Sequence, residues 1–146
     1  MRRFILTLVM VVMAAGMAMA QNYMVINSEK VFKSLSEYNK ALEQIETLSE
    51  RYQSQVDARF KEVETLYNSY MQQRASLPES SRQQYEQLIL QKEAEATEYQ
   101  ESLFGTDGEL MKRRLELIQP IQAKVFDTLE AFAKQYGYDL VIAIAS

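Results

Sequence analysis

The side chains that could carry out chemistry in this chain are carboxylates, because it contains neither histidine nor cysteine. The usual base at neutral pH, the thiol nucleophile and the best zinc ligands are therefore missing. Glu62, Glu64, Glu93, Glu95 and Glu98 are candidates by residue type only. On a helix surface such groups are solvated charges, and the sequence implies no cleft around them. We expect no enzyme, and no metal or cofactor.

A second candidate group is aromatic and consists of Tyr52, Phe60, Tyr67, Tyr70, Tyr85 and Tyr99. Such rings offer adaptable contacts of low specificity to an unfolded polypeptide, if part of each ring faces a space enclosed by several helical arms. The alternative is that they lie in a seam and pack two helices together. Both interpretations can hold at once, since a ring can pack with one edge and expose the other.

The one basic cluster, Lys112-Arg113-Arg114, could contact an anionic lipid headgroup or an acidic protein. Three consecutive residues point in different directions around a helix, so we expect a solvated surface; a weak membrane-surface or lipopolysaccharide contact is the alternative. From Gln21 onward the chain has 14 basic and 20 acidic residues, a net charge of −6. This charge and the lack of a basic stripe argue against nucleic-acid binding.

Segment 1–20 has the layout of a secretory signal peptide. Two arginines precede an apolar run from Phe4 to Met13, and the small residues that follow end in an A-x-A cleavage pattern at Ala18 and Ala20. The apolar run is too short to make a good membrane span. We therefore predict cleavage before Gln21 and export, which in a bacterium with two membranes places the mature chain in the periplasm.

Two long helical runs make up most of the mature chain. Glycine is absent between Ser28 and Phe104, and Pro78 is the only proline there, so the runs meet at one break. Apolar residues spaced by threes and fours from Val31 to Tyr70 form one stripe along the first run. A helix of about 48 residues is roughly 72 Å long, too long for an ordinary globular core. The pattern predicts a projecting helical hairpin with its tip at Pro78.

The second run contains two glycines, Gly105 and Gly108, beyond which the apolar period resumes. Each glycine costs roughly 1 kcal/mol relative to alanine in a helix, and Pro120 adds a further weak point. We predict a continuous but articulated helix with hinges at these three residues. Gly137 should end this helix as its C-terminal cap.

Short apolar segments flank the hairpin. Tyr23–Asn27 is typical of a strand that feeds a helix capped by Asn27 or Ser28, and a second strand is predicted from Tyr138 to Ala145. Two isolated strands cannot make a stable sheet, so we expect strands of several subunits to combine. The residues expected to build this body are Tyr23, Val25, Ile26, Leu140, Val141, Ile142 and Ile144.

The order strand, arm, tip, arm, strand resembles the Skp/OmpH family of periplasmic chaperones. The resemblance rests on Val25–Phe32, Leu77–Glu79, Leu117–Ile121 and Tyr136–Ile142, in this order and spacing. It implies a mainly α fold with a small β component. In that fold, three long antiparallel hairpins hang like tentacles from the β-rich body of a homotrimer and surround a cavity. The implied domains are a signal peptide at 1–20 and a single chaperone domain at 21–146, with a body at about 21–45 and 115–146 and helical arms at about 46–114.

The function that the resemblance implies is that of an ATP-independent holdase. Members of the family hold unfolded outer-membrane β-barrel proteins in the cavity before membrane insertion and so prevent their aggregation. Better-known relatives are strongly basic, whereas this mature chain is acidic, so we expect aromatic and aliphatic contacts to dominate. The alternative that the same periodicity supports is a structural coiled-coil spacer or adaptor of the cell envelope with a fixed partner.

Overall fold

The computed structural model describes residues 22–144. The predicted signal peptide, with its cleavage residues Ala18 and Ala20, lies outside this range, as does Ala145 at the end of the second predicted strand. The elements in chain order are β1 Tyr23–Asn27, α1 Ser28–Lys33, α2 Ser36–Gln73, α3 Glu79–Phe104, α4 Glu109–Tyr136 and β2 Leu140–Ile144. The predicted fold class is confirmed: long helices form a hairpin, and a short strand flanks them on each side.

The described residues form two compact units. The first consists of the described parts of Met1–Leu35 and Gln122–Ser146, and the second is Ser36–Ile121. We refer to them as the strand unit and the hairpin unit. The sequence-based bounds near residues 45 and 115 separate the residues of the body from those of the projecting arms. These bounds stay a prediction.

The hairpin unit is an antiparallel pair of helices. Two ring contacts show this arrangement. Tyr52 of α2 contacts Phe104 at the end of α3, whereas Tyr70, near the end of α2, contacts Tyr85 near the start of α3. The most buried side chains in the pair are Ala41, Ile45, Val56, Tyr70, Ala96 and Leu103. Ile45, Val56 and Tyr70 belong to the predicted stripe of the first run, and Ala41 lies beside it. Leu42 and Tyr67, which also belong to that stripe, are exposed.

The first helical run is broken, and the prediction of one helix from Glu29 onward was wrong. Helix α1 ends at Lys33, and α2 begins at Ser36. The Ser34 hydroxyl donates to the Val31 carbonyl at 2.7 Å, and the Leu35 amide donates to the Phe32 carbonyl at 3.0 Å. Serine side chains compete with the backbone for hydrogen bonds in this way, and the tighter turn interrupts the ladder.

The second helical run is also broken, which corrects the expectation of a continuous helix through Gly105 and Gly108. Helix α3 ends at Phe104, and α4 begins at Glu109. A Cβ atom added to Gly105 would lie 2.5 Å from the Glu101 carbonyl oxygen. One added to Gly108 would lie 2.7 Å from the Leu103 carbonyl oxygen. The two glycines therefore permit a close backbone approach that turns the chain between the helices.

In the strand unit, β1 and β2 pair in parallel, with Tyr23 opposite Leu140 and Asn27 opposite Ile144. The Asn27 side chain caps α1 by accepting from the Lys30 amide at 2.9 Å, which confirms one of the two predicted caps.

The predicted stop at Gly137 is confirmed. Gly137 has a φ of 72°, and the Tyr138 amide donates to the Ala133 carbonyl at 2.9 Å, the bond pattern of a Schellman cap. Pro120 lies inside α4, which stays helical through it. Within residues 22–144, no helix has both the length and the apolar character needed to cross a bilayer.

Candidate binding surface of the hairpin

Near the turn of the hairpin, Tyr70 is part of the seam between α2 and α3. Its side chain is 4% exposed and stacks on Tyr85 with ring centroids 5.8 Å apart. Its hydroxyl donates a hydrogen bond of 2.5 Å to the Glu86 carboxylate. That hydrogen bond, together with burial and the negative charge of Glu86, raises the pKa of Tyr70 above its ordinary value. Tyr70 and Tyr85 thus occupy the seam position that the sequence left as one of two alternatives.

Further along the seam, Tyr99 joins the two helices through polar contacts. Its hydroxyl donates to the Gln55 side-chain oxygen at 2.9 Å, and the guanidinium carbon of Arg59 lies 3.8 Å from the centre of its ring. A guanidinium over an aromatic face is attracted by the ring quadrupole. The half-buried ring of Tyr99 is therefore fixed on one side by α2.

At the end of the hairpin away from its turn, Tyr52 packs edge to face against Phe104, with ring centroids 6.4 Å apart. Both side chains are half-buried, as is Phe60 in the middle of α2. Of the six predicted aromatic contact residues, Tyr52, Tyr70, Tyr85 and Tyr99 thus make interhelical contacts.

Tyr67 differs from the other five, because its side chain is 48% exposed. It lines an open groove of about 360 Å³ beside the turn, which we call the turn-end groove. The lining residues are Tyr67, Tyr70, Met71, Arg74, Glu86, Ile89 and Leu90. Met71 is 46% exposed and Leu90 is 65% exposed, so an apolar surface is open to solvent here.

Sequence reasoning did not single out Met71, Ile89 and Leu90 as contact residues. Met71 directly follows the buried Tyr70, and Leu90 lies outside the stripe that packs the seam. They could have been predicted as apolar residues that lie beside the packed stripe rather than on it. The stripe itself identifies what the two helices bury against each other.

The strand unit also exposes apolar side chains. In β1, Tyr23 and Val25 are more than half exposed, and so is Phe126 in α4. On β2, the exposed side chains are Leu140, Ile142 and Ile144, whereas Ile26 and Val141 are half-buried. An open groove of about 410 Å³ runs between α4 and the strands, with Phe126, Leu129 and Val141 among its lining residues. The described strands of a single chain thus leave much of their apolar surface uncovered.

The charged residues singled out in the sequence are solvated or paired along one helix. Lys92 donates to Glu95 at 2.8 Å, and this hydrogen bond lowers the pKa of the Glu95 carboxyl. In the basic cluster, Lys112 pairs with Glu109 at 2.8 Å and Arg113 with Glu116 at 2.6 Å. Throughout residues 22–144, no group of three or more histidine, cysteine or acidic side chains could hold a metal ion.

A comparison with protein families matches this architecture. The family model described as "Outer membrane protein (OmpH-like)" matches residues 22–146, which include both units and both strands. No individual curated protein matches the chain significantly. The matched range also contains every stretch on which the resemblance to the Skp/OmpH family rests. The chain belongs to the OmpH-like family.

Proposed function

We propose that the mature chain is an ATP-independent holdase of the periplasm, which binds unfolded outer-membrane β-barrel proteins and prevents their aggregation before membrane insertion. Members of the OmpH-like family are periplasmic chaperones that bind outer-membrane proteins, rather than enzymes. The observation that carries the proposal is the solvent-exposed apolar surface beside the hairpin turn, formed by Tyr67, Met71 and Leu90. Exposed apolar surface of this kind marks an interaction site on a soluble protein.

The proposed holdase is a homotrimer whose strands combine into one body. The two-stranded parallel sheet supports this proposal, because such a sheet is marginal alone and its apolar side chains are exposed in the single chain. Strands of further copies would cover Val25 on β1 and Ile142 on β2. The hairpins would then be held close together, so that several of them could contact one client.

Binding by such arms consists of many weak apolar contacts. A holdase that binds only the unfolded client lowers the free concentration of the species that aggregates. It needs no nucleotide, because the client leaves when a more stable alternative, its folded state in the membrane, becomes accessible. Tyrosine and methionine side chains suit this task since they adapt to ligands of different shape.

The test uses the absence of tryptophan from the chain. An unfolded outer-membrane β-barrel protein that contains tryptophan is diluted into an excess of the mature protein, and tryptophan emission is followed together with light scattering. Every tryptophan signal then belongs to the client. The proposal predicts low scattering and a shifted emission that persists without ATP. Unchanged scattering, with circular dichroism showing a folded helical protein, would refute it.

A second candidate function is a structural spacer or adaptor with a fixed partner. The interhelical contacts of Tyr52, Tyr70, Tyr85 and Tyr99 favour it, because a hairpin that acts only as a rigid spacer needs its aromatic residues to pack its two helices together. The two candidates differ in accessible apolar surface. The holdase should bind bis-ANS, and an unfolded client should displace the dye. A spacer should do neither.

A further inference from the structure

A second open groove adjoins the turn-end groove along α3. It is a shallow depression, wide open to solvent, on one face of α3, and it is lined by Leu90, Glu93, Ala94, Thr97, Glu98 and Glu101. We call it the acidic groove. Leu90, the most exposed large apolar side chain of the hairpin unit, lines both grooves. The two grooves therefore form one continuous surface that is apolar beside the turn and acidic further along α3.

The charges of the two halves differ. In the turn-end groove, Arg74 and Glu86 offset each other, and the Glu86 carboxylate already accepts the Tyr70 hydroxyl. In the acidic groove, the three glutamates have no basic residue among the lining residues. Within residues 22–144, their carboxylates take part in none of the ion pairs; on α3 those pairs are Arg82–Glu79 and Lys92–Glu95.

The spacing of this surface suits an extended polypeptide. Counted from residue 90, the lining residues lie at positions i, i+3, i+4, i+7, i+8 and i+11, which share one helix face. From Leu90 to Glu101 the helix rises roughly 16 Å, the length of about five residues of extended chain. An unfolded segment can therefore place an apolar side chain at Leu90 and positive side chains beside the glutamates that follow.

We propose that this surface binds extended segments of unfolded polypeptide in which apolar side chains are followed by lysine or arginine. This inference rests on the proposed holdase function and adds the class of client segment. The apolar half contributes contact with Tyr67, Met71 and Leu90. The acidic half selects the sign of the charge and the direction of the segment, through Glu93, Glu98 and Glu101.

The experiment compares two labelled eight-residue peptides by fluorescence anisotropy with the mature full chain. Each peptide begins with two aromatic residues, followed by three lysines at alternate positions in one and three glutamates in the other. The lysine peptide should bind at least about threefold more tightly at low salt. The difference should shrink at high salt, because exposed charges are screened. Equal affinities, or tighter binding of the glutamate peptide, would overturn the proposal.

Two matched pairs of variants locate the site. Changing Glu93, Glu98 and Glu101 together to glutamine should weaken the lysine peptide about three- to tenfold. The control changes Glu46, Glu50 and Glu64 to glutamine, because it alters the net charge equally on exposed positions of α2. Equal effects of the two triple variants would mean that only net charge matters and would overturn the site.

The second pair of variants tests the apolar half. Leu90→Ser should weaken both peptides, whereas Leu115→Ser, at an exposed leucine that lines neither groove, should leave them unchanged. If Leu90→Ser instead changes the oligomeric state in sedimentation and no peptide binds, a second copy covers the groove and the proposal is wrong. The client scattering assay on the wild type separates the two proposals. If the wild type and the Leu90→Ser variant suppress aggregation equally, the proposed binding surface is refuted but the holdase function is not. If the wild type does not suppress aggregation, the holdase function itself is refuted.

Discussion

The hydroxyl of Tyr70 on α2 donates a hydrogen bond of 2.5 Å to the carboxylate of Glu86 on α3. This bond joins the two helices beside the hairpin turn, where the apolar seam ends and the open turn-end groove begins. The ring of Tyr70 also stacks on Tyr85, so the tyrosine is held in place both by packing and by a polar contact. The relationship makes the stability of this end of the hairpin depend on the protonation of a single hydroxyl.

The Tyr70–Glu86 bond predicts a loss of stability at alkaline pH. Because the pKa of Tyr70 is raised in the folded protein, the folded state binds this proton more tightly than the unfolded chain does. The resulting stabilisation is fully present below pH of about 10, the ordinary tyrosine pKa, and is lost as pH rises through the raised folded-state value. Urea unfolding at fixed protein concentration should show this loss for the wild type and a smaller one for Tyr70→Phe.

Glu86→Gln provides the control for this prediction. It keeps a hydrogen-bond acceptor but removes the negative charge that raises the pKa of Tyr70. In a spectrophotometric titration at the tyrosinate band, the variant should complete its transition at lower pH than the wild type. Coincident titration curves for the two proteins would show that the charge of Glu86 does not act on Tyr70 in solution.

Arg59 and Tyr99 predict a measurable coupling in the middle of the hairpin. The guanidinium carbon lies 3.8 Å from the ring centre, and such pairs contribute about 0.5–1 kcal/mol at exposed sites. A double-mutant cycle with Arg59→Gln and Tyr99→Leu should give a coupling of this size in the free energy of unfolding. Arg51 and Tyr52 are neighbours within α2 at 5.7 Å, so the corresponding cycle should give less. Additive effects at Arg59 and Tyr99 would contradict the contact.

Single residues of a characteristic type predicted the helix ends at Asn27 and Gly137 correctly, whereas the apolar periodicity did not reveal the breaks within the helical runs. The Asn27 cap and the Gly137 stop each follow from one residue type at one helix end, and both are found. The break at Ser34 was missed, and the segment from Gly105 to Gly108 was predicted only as a hinge within a continuous helix, because the apolar period continues on both sides of each. A period records which face is buried, and it does not record where backbone hydrogen bonds are replaced by tighter turns.

The contact residues were harder to predict for a related reason. The sequence identified the aromatic stripe, and the structure uses most of that stripe to pack α2 against α3. The exposed apolar surface includes Tyr67 from the predicted set but also Met71 and Leu90, which lie beside the stripe. Which apolar residues stay exposed depends on the side chains across the seam, and a single helical pattern does not contain that information.

Gly105 and Gly108 predict that alanine is poorly tolerated between α3 and α4. Each added Cβ would lie within 2.7 Å of a backbone carbonyl oxygen, so the turn must open to accept it. We expect Gly105→Ala to destabilise the protein by more than about 1 kcal/mol, although alanine normally favours helices. Thermal unfolding by circular dichroism measures this. A stabilised variant would indicate a continuous helix through this segment in solution.

Gly137→Ala tests a different mechanism and serves as the comparison. No atom would lie within 4 Å of its added Cβ, but its φ of 72° disfavours an L side chain. The expected cost is about 1–2 kcal/mol from backbone conformation alone. If the Gly105–Gly108 segment is a hinge, Gly105→Ala should also narrow the size range of clients that are kept soluble, whereas Gly137→Ala should not.

The exposed strands predict that one charge in β1 will dissociate the proposed trimer. Val25 is 51% exposed in the single chain and pairs with Ile142 in the sheet. A lysine at position 25 would have to be buried unpaired against neighbouring copies, a cost that marginal strands cannot offset. Sedimentation equilibrium should therefore change from a trimeric to a monomeric mass for Val25→Lys. Leu88→Lys, at a similarly exposed position in α3, should leave the mass unchanged, and a Val25→Lys protein that keeps the wild-type mass would exclude β1 from the subunit interface.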